Sequence, residues 1–198
     1  MEYDIVQGDI ATQSADALVN AAGTSLEMGS GVAGALRQAG GEGLNQEATE
    51  NGPVDLGEVA VTDAYDLDAD YVIHAAAMPH YGVHETSAES REPTRTSGSG
   101  DDGQATEQSI GDATRNALET ADDLACQSLV IPALGCGVAG FDLEDGARII
   151  AEELAEYDPE TLEDVRFVAY SDEEYDAIRT VVDDVPETGS HAESETDR

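Results

Sequence analysis

Two glycine-rich loops constrain the fold of this chain more than any other feature, because each follows an apolar run and precedes a helical pattern. The first loop spans residues 20–34 and the second spans residues 131–141. Glycine lets backbone N–H groups turn inward and approach a ligand closely. A helix N-terminus adds unpaired N–H donors and a partial positive charge. Together the loops predict a cradle for a pyrophosphate that needs no basic side chain.

The rest of the chain alternates short strand patterns with helical patterns. Strands are predicted over 3–6, 17–20, 58–62, 71–77, 128–132 and 165–170, and helices over 32–39, 44–50, 105–124, 143–155 and from the capping-box spacing at 171–174 to about 182. This alternation is typical of a three-layer α/β/α domain, in which ligands bind beyond the carboxyl ends of the strands. Asp9 and both glycine loops follow predicted strands, so we expect them at that edge.

The composition indicates a single domain over residues 1–182. Residues 85–104 contain almost no apolar side chains and are predicted to form a flexible insertion loop. Residues 183–198 are acidic and polar, so we expect a disordered acidic tail.

The net charge argues against several classes of partner. The chain has 44 acidic and 8 basic residues, a formal net charge of −36, and every basic residue is an arginine. The charge argues against nucleic acids and anionic membranes as partners because they require clustered Lys and Arg, and a scaffold that binds a polymer or nucleic acid is the less favoured alternative. The acidic residues are spread along the whole chain, so we predict adaptation to a very salty cytoplasm, where the Debye length falls to about 3 Å near 1 M salt. An ordinary acidic protein with a disordered tail is the alternative.

The cysteines and histidines give no sign of a metal site or a nucleophile. Cys126 and Cys136 lack metal-ligand spacing and indicate reduced thiols in the cytoplasm. Cys136 has no histidine near it in sequence, so we interpret it as a structural residue or one that lies beside the ligand, and not as a nucleophile. The spacing of His74, His80 and His84 fits no structural zinc pattern, and His74 is interpreted as a structural residue. No metal, cofactor, signal peptide or membrane span is predicted, and we expect a monomer.

Several segments, in this order along the chain, resemble the macro domain family, whose members bind ADP-ribose. They are residues 8–12, 16–22, 29–34, 56–62 and 71–74, the second glycine loop, and the strand ending at Tyr170. The resemblance covers about residues 1–182 apart from the 85–104 insertion. It implies a macro domain-like α/β/α fold with a central mixed sheet, and ADP-ribose, free or attached to proteins, as the ligand.

The resemblance also gives the matched positions roles toward ADP-ribose. Asp9 would accept a hydrogen bond from the adenine amino group, the backbone N–H of Ile10 would reach the adenine ring, and Tyr170 would pack on its face. The glycine loops would contact the diphosphate, and Gly23 would lie near the distal ribose. The predicted ligand-binding residues are Asp9, Ile10, Asn20, Gly23, Gly29, Ser30, Gly31, Val32, Gly135, Cys136, Gly137, Val138, Ala139, Gly140, Phe141 and Tyr170.

Three of these residues have simpler interpretations. Asp9 is also what a turn after a strand requires. Tyr170 could pack in the core with its hydroxyl at the edge. Asn20 could tie the loop to the sheet through side-chain hydrogen bonds.

Three positions depart from the pattern of hydrolytic family members. Gly23 stands where those members commonly have Asn, Ala33 where they often have Asp, and Ala139 where an aromatic residue often covers the distal ribose, although Phe141 is nearby. The resemblance implies that this Asn and this Asp position the attacking water and the distal ribose in the hydrolytic members. We therefore predict ADP-ribose binding. The alternative is a hydrolase acting on ADP-ribosylated Asp or Glu, O-acetyl-ADP-ribose or ADP-ribose phosphate, with no catalytic residue assigned.

Overall fold

A six-stranded mixed sheet forms the centre of the molecule. The computed structural model of the chain describes residues 1–79, 104–137 and 139–182. The strands are β1 (Asp4–Gln7), β2 (Ala17–Gly23), β3 (Val59–Asp63), β4 (Tyr71–Met78), β5 (Ser128–Pro132) and β6 (Asp164–Ala169). Their order is β1-β6-β5-β2-β4-β3, and only β3 runs antiparallel to its neighbour. The predicted mixed sheet is confirmed.

Helices cover both faces of this sheet. They are α1 (Gly31–Gly40), α2 (Glu42–Asn51), α3 (Glu107–Asp123), α4 (Leu143–Glu156) and α5 (Asp172–Val182), with a 3-10 turn at Ile10–Thr12. One core contains Ile110, Leu154 and Ile178 from α3, α4 and α5. The second core, on the other face, contains Leu36 of α1 and Leu44 of α2. The predicted three-layer α/β/α architecture is confirmed.

The strand patterns of the sequence match the positions of the strands in the sheet. The central strands β2 and β4 are continuous apolar runs because both of their faces are buried, and Leu18, Val19 and Ile73 are fully inaccessible to solvent. Strand β2 is three residues longer than the predicted 17–20, since it stays paired with β4 as far as Gly23 opposite Met78. The first glycine loop therefore begins at the very edge of the sheet.

Some predictions fall outside the described residues. These concern residues 85–103 of the insertion loop, the tail at 183–198, and Val138, His80 and His84. Within the ranges that the structure does describe, no helix is long and apolar enough to cross a bilayer. In the same ranges, no group of three or more His, Cys, Asp or Glu side chains could hold a metal ion.

Candidate functional site

Two adjoining cavities form one cleft at the carboxyl ends of the parallel strands. The main cavity has a volume of about 1010 Å³ and lies between the two glycine loops and the ends of β1 and β6. The side cavity has a volume of about 820 Å³ and lies between the first glycine loop and helix α2. Ala21, Ser30 and Met78 line both cavities, so one ligand can extend from the first into the second.

The first glycine loop presents the uncapped start of a helix to the main cavity. Ser30 is the N-cap of α1, yet its side chain makes no capping hydrogen bond. The starts of α3, α4 and α5 are capped by Thr106, Asp142 and Ser171, and α2 also starts without a side-chain cap, at Gly41, which does not line the main cavity. The first-turn N–H groups of α1 are thus left for a ligand, and an anion suits them because of the helix dipole.

Gly31 and Gly135 are glycines for different physical reasons. Gly31 has φ +62°, which is unfavourable for other residues, and a Cβ there would meet no atom within 4 Å. Gly135 has φ +74°, and a Cβ there would lie 2.8 Å from the Cβ of Ala105. The first glycine therefore borders the open cleft, whereas the second lets its loop pack closely against the segment leading into α3.

The second glycine loop lines the main cavity only in part. Gly135, Cys136, Gly137 and Ala139 line this cavity. Gly140 and Phe141, both predicted to bind the ligand, line neither cavity, and Phe141 packs against the core instead. The Phe141 ring is half-buried against the core where the loop folds back on itself, with the Phe141 N–H donating to the Gly135 carbonyl at 3.2 Å.

Asp9, Ile10 and Tyr170 line the main cavity where the adjacent strands β1 and β6 end, whereas the side cavity lies at the ends of β2 and β4, farther across the sheet. The Asp9 Oδ1 accepts a hydrogen bond from the N–H of Ala11 at 2.9 Å, so this residue also has the turn-stabilising role considered above. Tyr170 follows β6 immediately and is 75% exposed. The interpretation of Tyr170 as a core residue is therefore wrong, because its ring lies on the rim of the cavity. The Tyr170 N–H donates to the Glu174 carboxylate at 2.8 Å, which fixes the backbone there.

Asn20 lies inside the sheet and lines neither cavity. Its side chain is buried, and its Nδ2 lies 2.9 Å from Nδ1 of His74 on the paired strand. Nε2 of His74 lies 3.0 Å from the Thr62 hydroxyl. Burial lowers the pKa of His74 to about 4, so its ring is neutral near pH 7. The structural interpretation of His74 is confirmed, and the placement of Asn20 favours its structural interpretation.

Cys136 lines the main cavity but is a poor nucleophile. Burial, followed by the charges of Glu174 and Asp142, raises the pKa of its thiol to about 12. The thiol is directed at the carbonyl of Leu134, with the two atoms 3.3 Å apart. A protonated thiol held in this way forms part of the cavity wall.

The charged side chains that line the cleft would not attract an anion, so an anion there would have to be held by backbone N–H groups. Five carboxylate residues and no arginine are among the described residues lining the main cavity; the acids are Asp9, Asp142, Glu144, Glu173 and Glu174. Arg37 is the one basic residue among those lining the side cavity, and it is paired with Glu42 at 2.7 Å. Asp9 was predicted at the site, whereas the sequence analysis did not assign the other four acids or Met78, at the end of β4, to it.

Two of the three positions predicted near the distal ribose line the side cavity. Gly23 and Ala33 lie there, together with polar residues of α2 and with Gly29, which was predicted to contact the diphosphate. Ala139, the third position, lines the main cavity instead. Ser30 lies between the two cavities, and Gly31 and Val32 line the main cavity.

Comparison with known proteins decides the family. The model of the macro domain family matches residues 19–150, which is more than half of the chain. The chain belongs to the macro domain family. An uncharacterized protein of Sulfolobus acidocaldarius is 38% identical over 187 residues, which cover 92% of this macro domain and 91% of that relative. An uncharacterized protein of Mycobacterium tuberculosis is also 38% identical, over 172 residues, but this macro domain spans only 42% of that longer relative.

Solved macrodomain structures share the fold. A mutant of the Oceanobacillus iheyensis macrodomain with ADPR has a TM-score of 0.71 at 24% identity, and the match covers 90% of both chains. The Trypanosoma brucei macrodomain in complex with ADP-ribose has a TM-score of 0.69 at 24% identity, covering 91% of this chain and 67% of that one. At this level of identity the likeness establishes the architecture of the macro domain.

Proposed function

We propose that this macro domain binds ADP-ribose, free or attached to proteins. One observation carries the proposal: an uncapped helix start and a second glycine loop line the cavity that has a carboxylate and an exposed tyrosine beside the ends of β1 and β6. Backbone N–H groups can hold the diphosphate. The carboxylate and the aromatic ring suit a base with an amino group.

We infer the direction of the ligand from the joined cavities. Adenine lies at the end with Asp9 and Tyr170, and the diphosphate lies between Gly31 and Gly137. The distal ribose then extends past Ser30 into the side cavity, beside Gly23. The solved relatives with ADPR and ADP-ribose, which have the same fold, support this ligand class.

The test is calorimetric titration of ADP-ribose in multimolar KCl, with AMP and NAD as comparison ligands. We expect binding that prefers ADP-ribose. Gly137→Glu places a carboxylate in the main cavity, where a Cβ would meet no atom within 4 Å. At contact distances this charge should weaken binding by about 100-fold or more. Thr180→Glu, which makes the same charge change on the exposed surface of α5, is the matched control and should bind normally. Equal affinity of both variants would contradict the assignment of the cleft.

Hydrolysis of an ADP-ribosyl ester is the alternative function. Gly23 and Ala33 line the side cavity and bring no polar side chain to it, which favours binding over hydrolysis. A glutamate-linked ADP-ribosyl substrate separates the two, because a hydrolase releases ADP-ribose faster than the control without protein. If there is such a rate, Gly23→Asn should raise it, and no gain would argue against the mechanism of the hydrolytic relatives.

We further propose that the protein acts as a monomer in a salty cytoplasm, without a metal or cofactor and without nucleic acid or membrane partners. The support is the net charge of −36 together with two free cysteines. Unfolding curves across a range of KCl concentrations test the adaptation to salt, since stability should rise with salt. Light scattering over the same range tests the monomer, since the mass should stay near 20.7 kDa.

A further inference from the structure

The backbone of Met28, within the first glycine loop, is held by two side chains. The Met28 N–H donates to Oδ1 of Asn45 at 3.0 Å. The Met28 carbonyl accepts a hydrogen bond from Nη1 of Arg37 at 3.2 Å. Arg37 belongs to α1 and Asn45 to α2, so the loop is held between two helices.

Glu42 connects these two side chains. Its Oε1 accepts a hydrogen bond from Nδ2 of Asn45 at 3.0 Å. Its Oε2 accepts one from Nε of Arg37 at 2.9 Å and lies 2.7 Å from Nη2 of the same guanidinium. The chain of contacts from Met28 through Asn45, Glu42 and Arg37 back to Met28 is closed. We name these three side chains the Met28 bracket.

The inner side of the same loop is anchored by its own side chains. Met28 is 1% exposed and Leu26 is fully buried. Leu26 also has φ +61°, which a leucine adopts only where its surroundings hold it. The loop is thus held on one side by the buried side chains of Leu26 and Met28, and on the other side by the Met28 bracket.

We propose that Glu42, acting through Arg37 and Asn45, is the positioning residue of the first glycine loop. Held at Met28, the loop keeps residues 29–31 and the start of α1 in the arrangement that receives the diphosphate. This inference rests on the proposed function. The described lining of the main cavity offers no basic side chain, so binding depends on the direction of backbone N–H groups, and ordering them before the ligand arrives lowers the cost of binding.

The test compares ligands with and without phosphate on Glu42→Ala. We expect ADP-ribose and ADP to bind about tenfold more weakly, because the loop must be ordered on binding. Adenosine, which has no phosphate, should bind as it does to the unmodified protein. Glu42→Gln keeps an acceptor oxygen and should recover part of the loss. A general structural defect would instead weaken all three ligands and would overturn the proposal.

Asp145→Ala is the matched control. Asp145 lies in the first turn of α4 and accepts a hydrogen bond from Arg148 at 3.0 Å, as Glu42 does from Arg37 in the first turn of α2. Both carboxylates are exposed, so removing either one by substitution with alanine should move the melting temperature by no more than about 2 °C. Only Glu42→Ala should change the affinity for ADP-ribose, and equal effects of the two variants would refute the bracket.

Amide hydrogen exchange on the protein without ligand tests the bracket separately from the proposed function. The described hydrogen bonds connect Glu42 to Met28 through Asn45 and Arg37, so faster exchange of the Met28 N–H in Glu42→Ala reports loss of positioning through these two side chains. We expect about tenfold faster exchange there and no change in the buried strands β2 and β5. Unchanged exchange at Met28 overturns the proposal. Faster exchange in a protein that fails to bind ADP-ribose overturns the proposed function and shows that the bracket orders the loop for another ligand.

Discussion

Replacing Gly31 with alanine tests whether the backbone conformation at the start of α1 is needed. Its φ is +62° and a Cβ would meet no atom within 4 Å, so the cost of alanine is conformational rather than steric. The left-handed conformation costs an L-residue roughly 1–2 kcal/mol. For a domain of this size the melting temperature should fall by about 2–8 °C.

Gly29→Ala is the control, two residues earlier in the same loop. A Cβ at Gly29 would also meet no atom within 4 Å, and its φ lies outside the left-handed range. The free energy of unfolding should change by less than about 0.5 kcal/mol, or rise slightly because alanine restricts the unfolded chain. Scanning calorimetry of both variants in the same KCl buffer gives the difference directly.

The same pair of variants tests ligand binding. Alanine at position 31 can relieve its strain by turning the peptide, which redirects the N–H groups at the helix start. We expect Gly31→Ala to bind ADP-ribose about tenfold more weakly than Gly29→Ala, the equivalent of one lost hydrogen bond. Equal melting temperatures would show that the structure does not hold position 31 in the left-handed region. Lower stability with equal affinity would show that N–H direction at this position does not matter for binding.

Three further predictions concern charge. Partial burial opposes ionisation of Asp122, but hydrogen bonds from the Glu160 N–H, the Tyr157 hydroxyl and Thr161 outweigh it and lower its pKa to about 2. The contribution of ionised Asp122 to the free energy of unfolding is therefore present above the ordinary pKa of 3.8 and lost as the pH falls toward 2. In urea denaturation at neutral pH, Asp122→Ala should be less stable than the unmodified protein by about 2 kcal/mol. An unchanged midpoint and slope of the urea curve would contradict this. His74, with its pKa lowered to about 4, should stay neutral in NMR titrations until near that pH. The free energy of unfolding should fall as the pH is lowered from 6.5 to 4, because the unfolded state takes up the proton first. An NMR titration midpoint near 6.5 would contradict the burial of His74. ADP-ribose affinity should increase with KCl, because salt screens the lining carboxylates from the diphosphate; a steady decrease would point to a basic group in the site.

The sequence predicted the parts of the site that depend on local pattern. Glycine loops after apolar runs mark strand ends, and parallel strands bring their carboxyl ends to one edge, so Asp9, Gly31 and Gly137 were expected together and all line the main cavity. Strand β5 and the Asp142 cap of α4 were predicted for the same local reasons.

Contacts between distant segments could not be predicted in the same way. Asn20 is among the predicted ligand-binding residues, but β2 continues past it, and its side chain meets His74, 54 residues away, on the paired strand. Arg37, Glu42 and Asn45 resemble solvated helix residues in sequence. Only the packing of α1 against α2 brings their side chains to the backbone of Met28.

The uncapped start of α1 has a consequence for how this macro domain's composition can vary. Peptide N–H groups are supplied by the fold itself, whichever side chains surround them. The surface can therefore become as acidic as that of this chain without any change to the groups that would receive an anion. A search for anion sites that scores lysine and arginine clusters would pass over this cleft.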